Sequence, residues 1–285
     1  MVELLALGPL ELWHDQRQHE LGTLKERRVL AVLLHARGEP VSANTLMERV
    51  WDGEPPLTAL DTLQSYLSRL RGRLRRAVGD DRVGVERPSP RLYQLRADAE
   101  DIDLLRFQRL RSDALAAAAR GERPLAIGLL RTAEALWRSE PLTEFSESSW
   151  AQSARARLIE DHRRVREERI GLELELGRHA DLVGELRELA SQSPFAQQVI
   201  GSLMLALYRS GRHDEALAVY RDTRTRLHES QGIEPTAELQ QLHLRMLEQD
   251  QDLLRTEPGP RDPAPPSGAA QLSAAGHPGL HRARG

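Results

Sequence analysis

Between positions 69 and 76 the chain places five arginines, Arg69, Arg71, Arg73, Arg75 and Arg76, with no acidic residue among them. Guanidiniums at that density are suited to phosphate oxygens. A helix that carries them without acids cannot neutralise its own surface through i,i+4 pairs. Just ahead, Thr62, Gln64, Ser65 and Ser68 offer hydroxyls and an amide, groups that pair with base edges. Small polar groups in front and arginines behind suit a helix whose first turns meet bases while its length follows phosphates. A solvated, charged surface helix is the plain alternative, and the missing partner acids weigh against it.

These groups share one helix because Leu60, Leu63, Leu67, Leu70 and Leu74 recur at spacings of 3 and 4. At about 100° per residue, Asp61, Ser65, Ser68, Gly72 and Arg76 fall opposite that stripe. Thr62, Gln64, Arg69, Arg73 and Arg75 flank them. Arg71 lies nearest the leucines and is the arginine best placed for a structural role. Thr58 and Asp61 have the spacing of a capping box, which predicts the helix start.

Stretches 3–7, 10–13 and 18–21, broken at Gly8-Pro9 and Asp15-Gln16, read as a small antiparallel meander. Thr23 and Glu26 form a second capping-box pattern, opening a helix with Val29, Leu30, Leu33 and Leu34 inward and Gly38 at its end. A short helix follows from about Asn44 to Trp51. After the arginine helix, 82–86 and 92–95 read as strands joined across Arg87-Pro88-Ser89-Pro90. A meander, three helices and a hairpin is the layout of a winged helix. Its third helix enters the major groove, and its hairpin, bearing Arg87 and Arg91, reaches to backbone or minor groove.

Charge is distributed to match. The formal net charge is −3, but residues 62–97 hold nine arginines against Asp80, Asp81 and Glu86, whereas 101–255 hold 22 basic and 26 acidic residues. A basic module joined to a mildly acidic one points to a DNA-facing part and a protein-facing part. With no cysteines, disulfides, thiolate catalysis and Cys-ligated zinc are excluded. Lys25 is the sole lysine and has no Gly-x-x-x-x-Gly before it, so no phosphate loop is present, and no nucleophile–base spacing is recognisable. We therefore expect no enzyme, no cofactor, no metal and no phosphoryl-accepting receiver. No apolar run approaches the roughly 18 residues of a membrane span, and the N-terminus lacks the pattern of a signal peptide, so a cytoplasmic protein without membrane contact is expected.

Beyond a short polar boundary at 97–103 the chain reads as all helix. Gly177-Arg178-His179 recurs as Gly211-Arg212-His213, an offset of 34 residues and the tetratricopeptide period. Ala216 and Tyr220 fit that repeat's packing positions, and Gly121-Glu122-Arg123 resembles an earlier copy. His179 and His213 read as turn residues and not metal ligands, and Trp137 and Trp150 as packing residues. Stacked helix pairs present a concave surface for protein contacts, with bare scaffold as the alternative. From Thr256 onward, six prolines and five glycines with few large apolar residues predict a disordered tail, in which the basic run at 281–284 could touch DNA.

The order and spacing of several segments resemble one family. They are Leu7-Gly8-Pro9-Leu10-Glu11, Lys25 through Leu34, Val41-Ser42, Trp51-Asp52-Gly53-Glu54-Pro55-Pro56 and Thr62 through Arg71. The likeness extends through Ile102 to Phe107, Leu136-Trp137-Arg138 and Gly232-Ile233-Glu234-Pro235 to about residue 250. It is to the SARP-type regulators of actinomycetes. The resemblance implies an OmpR/PhoB-like winged helix over 1–97, an all-α, tetratricopeptide-like bacterial transcriptional activation domain over 98–255, and the tail over 256–285. It further implies binding to double-stranded promoter DNA, as a homodimer on repeated sites, with recruitment of RNA polymerase holoenzyme to a secondary-metabolite gene cluster. DNA-binding residues would be Thr62, Gln64, Ser65, Ser68, Arg69, Arg73, Arg75, Arg76, Arg87 and Arg91. Three positions depart from the family pattern. Leu92 precedes Tyr93 where the family has Gly, Asp61 replaces a frequent Asn, and Ser139 replaces Gly. Asp61 would repel phosphate or accept from a cytosine amino group, and both roles stay open. A helical-repeat adaptor that binds no DNA is the competing functional reading.

Overall fold

A computed structural model describes residues 2–79 and 82–255. The predicted tail, with its basic run at 281–284, lies outside the described residues. The chain opens with strands β1 (Val2–Leu5), β2 (Glu11–His14) and β3 (Arg17–His19), antiparallel and in that order. Asp15 and Gln16, at φ 49° and 65°, form a two-residue turn with both central residues left-handed, the hand that matches strand twist. Helix α1 (Leu24–His35) starts at the predicted capping box. The Glu26 amide donates to Thr23 Oγ1 at 3.4 Å, and the Thr23 amide donates to Glu26 Oε2 at 2.9 Å.

A short strand β4 (Val41–Ser42) leads into α2 (Ala43–Trp51), where Ser42 Oγ accepts from the Thr45 amide. The arginine helix is α3 (Ala59–Val78). Leu63, Leu67, Leu70 and Leu74 are fully buried and Leu60 is partly buried, as their spacing requires. The capping box expected at Thr58 and Asp61 does not form. A turn in which the Ala59 amide donates to the Pro56 carbonyl holds Thr58 at ψ 13°, and a capping hydroxyl needs the extended conformation. Asp61 keeps only the helix-dipole benefit of a first-turn acid.

The wing is the hairpin β5 (Gly84–Ser89) and β6 (Leu92–Arg96), and with β4 it makes a sheet of order β4-β6-β5. Its strands run closer together than the sequence predicts. Ser89 pairs with Leu92 across a two-residue turn, and a register shift between Glu86 and Ser89 absorbs the difference. The left-handed position in that turn falls on Arg91, at φ 62°, so Leu92 can remain in the strand where the family has Gly.

The remainder is helical: α4 (Asp103–Ala119), α5 (Arg123–Ala135), α6 (Ser149–Glu175), α7 (His179–Gln192), α8 (Gln197–Arg209), α9 (His213–Gln231) and α10 (Ala237–Leu247). Gly121, Gly177 and Gly211, all at φ near +75°, make one and the same turn. Each donates to the carbonyl three residues back, and the next residue donates to the carbonyl five back from itself. The 34-residue offset thus marks repeated helix ends, and the earlier copy at Gly121 is real. The final helix stops at Leu247 and not near Leu254. Gln249 turns left-handed at φ 54°, and a separate 3-10 turn covers Gln251–Leu254.

Two hydrophobic cores result. One runs continuously from Val2 to Val165, so Leu4 and Leu7 share it with Ile102, Leu104 and Phe107; the other gathers Ile170 through Leu253. Polar clamps reinforce the first. The carboxylate of Asp103, 1% exposed, accepts from the Ala6 amide at 2.8 Å and the Leu7 amide at 2.9 Å. Arg138 reaches back to the Pro9 carbonyl and to Glu11. Asp52 accepts from the Ser149 amide and hydroxyl, and Arg27 pairs with Glu144.

Candidate nucleic-acid interface

α3 packs on α1, α2 and β5 through its leucines. Gln64, Ser65, Ser68, Arg69, Arg75 and Arg76 are solvent-exposed on the opposite side, and Thr62 is half-buried at its edge. Ser65 Oγ donates to the Asp61 carbonyl at 3.0 Å, which directs its lone pairs outward as acceptors. Arg76 Nε donates to the Gly72 carbonyl of its own helix at 3.0 Å, leaving its terminal nitrogens outward. Arg87 and Arg91 stand exposed on the wing.

Two arginines are held from below. Arg69 Nη1 and Arg73 Nη2 each lie 3.5 Å from a carboxylate oxygen of Glu26 on α1, whose side chain is wholly buried. Arg69 stays mostly exposed at 62%, whereas Arg73 is 29% exposed and leans inward. The arginine-bearing stretch of the helix, 69–76, supplies no acid, but the neighbouring helix does. The pattern at Thr23 and Glu26 reveals the cap; that the cap's second carboxylate oxygen faces α3 is a tertiary fact with no local signal. Arg71 has the structural place its position near the leucines implies. Its Nε donates to the Val85 carbonyl at 2.7 Å and its guanidinium lies 6.0 Å from the Tyr93 ring centre, so it fastens the wing to the helix. Glu86 and Arg96 pair across the wing strands at 2.6 Å.

The histidines and tryptophans singled out beyond this face stand at helix starts or in packing. His179 and His213 begin α7 and α9, and His213 stacks on Tyr208 at 4.4 Å. Trp137 stacks on His162 at 4.2 Å and meets Phe107 edge-on, and Trp150 meets His35 edge-on. Burial, with a smaller contribution from nearby Arg166, lowers the pKa of His162 to about 4. No group of three or more metal-type side chains occurs among the described residues, and none of their helices is long and apolar enough to cross a membrane.

A winged helix carrying an outward arginine-bearing third helix, joined through a shared core to a tetratricopeptide-like stack, is the architecture of a bacterial transcriptional regulator. Family models agree: residues 17–87 match the transcriptional regulatory protein C-terminal family, and 102–247 match the bacterial transcriptional activator domain. Regulatory protein DnrI of Streptomyces peucetius is 34% identical over 267 residues, covering 92% of this chain and 97% of that protein. Regulatory protein AfsR of Streptomyces griseus is 37% identical over 257 residues, 90% of this chain but only 26% of the relative, so the chain spans about a quarter of that protein. The solved structure of Mycobacterium tuberculosis EmbR in complex with a low-affinity phosphopeptide superposes with a TM-score of 0.81 at 30% identity, over 87% of this chain and 65% of that one. The chain belongs to the SARP-type family of transcriptional regulators.

Proposed function

We propose that this protein is a sequence-specific DNA-binding transcriptional activator that works without catalysis in the cytoplasm. The observation that carries the reading is the division of α3, with four leucines fully buried and Gln64, Ser65, Ser68, Arg69, Arg75 and Arg76 facing out beside the arginines of the wing. In this reading Thr62, Gln64, Ser65, Ser68 and Arg69 meet base edges. Arg73, Arg75 and Arg76 neutralise phosphates along the groove, and Arg87 and Arg91 grip the backbone or minor groove beside it. Arg73 must swing away from Glu26 to do so. The helical stack pairs two protomers on repeated promoter sites and contacts RNA polymerase holoenzyme. The family resemblance supports a secondary-metabolite gene cluster as the target.

Binding isotherms at several salt concentrations test the proposal, using the whole chain because the first core crosses from the winged helix into the helical part. With roughly 4–6 phosphates neutralised per protomer, log K falls against log salt with a slope of about −4 to −5. A flat dependence, or no shift of duplex DNA at all, would leave the adaptor reading in its place.

A further inference from the structure

A second cationic site lies away from α3. A cavity of about 390 Å³ opens where the end of α1 and the outer face of α2 meet the first turns of α6. That volume lies within the range of small-ligand sites. Arg37 follows α1, Arg49 lies on α2 and Arg157 on α6, so arginines from three separate segments line one space. The only carboxylate in the lining is Asp161.

None of the three arginines has a carboxylate partner among the described residues. Arg49 lies over the Trp150 ring at 5.9 Å, and Arg37 sits 2.8–3.1 Å from the Gln108 amide when its oxygen faces the guanidinium. Elsewhere on α6 the arginines are neutralised within the chain: Arg163 and Arg164 by Glu160, and Arg169 by Glu134 and Glu173. The cavity wall also holds His35, whose Nδ1 lies 2.9 Å from the Ala31 carbonyl and whose buried Nε2 has no hydrogen-bond partner. Burial first, then the charges of Arg37 and Arg49, disfavour its protonated form, so the back of the cavity is a neutral imidazole and not a fourth cation.

Three like charges held around one space against a single carboxylate repel on balance, and a multivalent anion relieves that repulsion. Guanidiniums arriving from three segments address a centre whose acceptor oxygens point in several directions. A tetrahedral phosphate meets that requirement, whereas a planar carboxylate accepts in one plane. We infer that this cavity is a binding site for a small phosphorylated metabolite bearing at least two negative charges, gripped by Arg37, Arg49 and Arg157. Because α1 and α2 belong to the winged helix and α6 to the helical part, such a ligand ties the two together at their junction. It favours whichever relative placement brings the three arginines closest.

Inorganic pyrophosphate is the probe, titrated calorimetrically into the whole chain without DNA, with citrate as the carboxylate comparison. The expected result is saturable pyrophosphate binding that is at least tenfold weaker in the Arg49→Ala/Arg157→Ala double variant and in Arg157→Ala alone, and intact in Arg69→Ala/Arg76→Ala. The last variant separates this site from the DNA face, so failure here leaves the reading of α3 standing. The inference is overturned if pyrophosphate does not bind, if citrate binds as tightly, or if the α3 variant loses binding while the cavity variants keep it. Loss of DNA affinity in the cavity variants without any pyrophosphate response would also overturn it, by making those arginines DNA contacts.

Discussion

Asp103 gives the sharpest test of how the two parts of the chain are joined. Its carboxylate is 1% exposed and accepts from the amides of Ala6 and Leu7, which are themselves buried at the end of β1. Asp103→Ala strands both donors where water cannot reach them, at about 1–3 kcal/mol each, or roughly 2–6 kcal/mol together. Part of this is recovered. Burial raises the Asp103 pKa against the opposing pull of those same bonds, so the ionised side chain carries a desolvation cost that the deletion removes. The net loss should therefore fall in the lower half of the range, about 2–4 kcal/mol. Asp103→Asn keeps one acceptor oxygen and should lose about half as much. Urea unfolding followed by tryptophan fluorescence reads both, since Trp13 and Trp51 report on the winged helix and Trp137 and Trp150 on the helical part. A loss under about 1 kcal/mol for the alanine variant would refute the argument, and so would separate transitions for the two parts in the wild type, because the shared core requires them to unfold together.

Further outcomes follow from single residues. His162 has its pKa lowered to about 4 by burial against Trp137, so the folded state resists a proton that the unfolded chain accepts near pH 6.5. Its contribution is therefore fully present above pH 6.5 and is lost as pH falls toward 4. His162→Phe should flatten that part of a stability–pH curve, and an unchanged slope would contradict the assignment. Arg91 occupies a left-handed turn position that costs an L-residue about 1–2 kcal/mol, while glycine there costs about 0.5–1 kcal/mol in chain entropy. Arg91→Gly should thus raise stability by about 0.5 kcal/mol in thermal unfolding, yet weaken DNA binding and lower the salt slope by about 0.9. Arg91→Ala should weaken binding equally with no gain in stability. Arg76→Ala should weaken binding evenly across duplex sequences in parallel isotherms, and a change in base preference would contradict its role as a phosphate contact.

What the sequence discloses about this molecule follows the range of each interaction. The leucine spacing of α3 and the period of its polar face are local, and the helix forms where they say, with Arg71 turned to the wing. The 34-residue offset finds two equivalent glycine turns. The third stands 56 residues ahead of Gly177 because the 27-residue α6 intervenes. Local signals mislead where a neighbouring turn overrides them. Pro56 removes the cap at Thr58, and the left-handed Gln249 ends α10 early. Contacts between distant segments leave no periodic trace. Glu26 beneath Arg69 and Arg73, Asp103 on the amides of Ala6 and Leu7, and the arginines of the junction cavity all come from segments far apart in the chain.

The central claim is that the polar front of α3 reads bases. Selection from a pool of randomised duplexes, with the wild type and Gln64→Ala/Arg69→Ala compared side by side, tests it most directly. We predict that the wild type enriches one motif and that the variant still binds but loses preference at a few adjacent positions within it. A wild type that enriches nothing, or a variant that enriches the unchanged motif, would contradict the account.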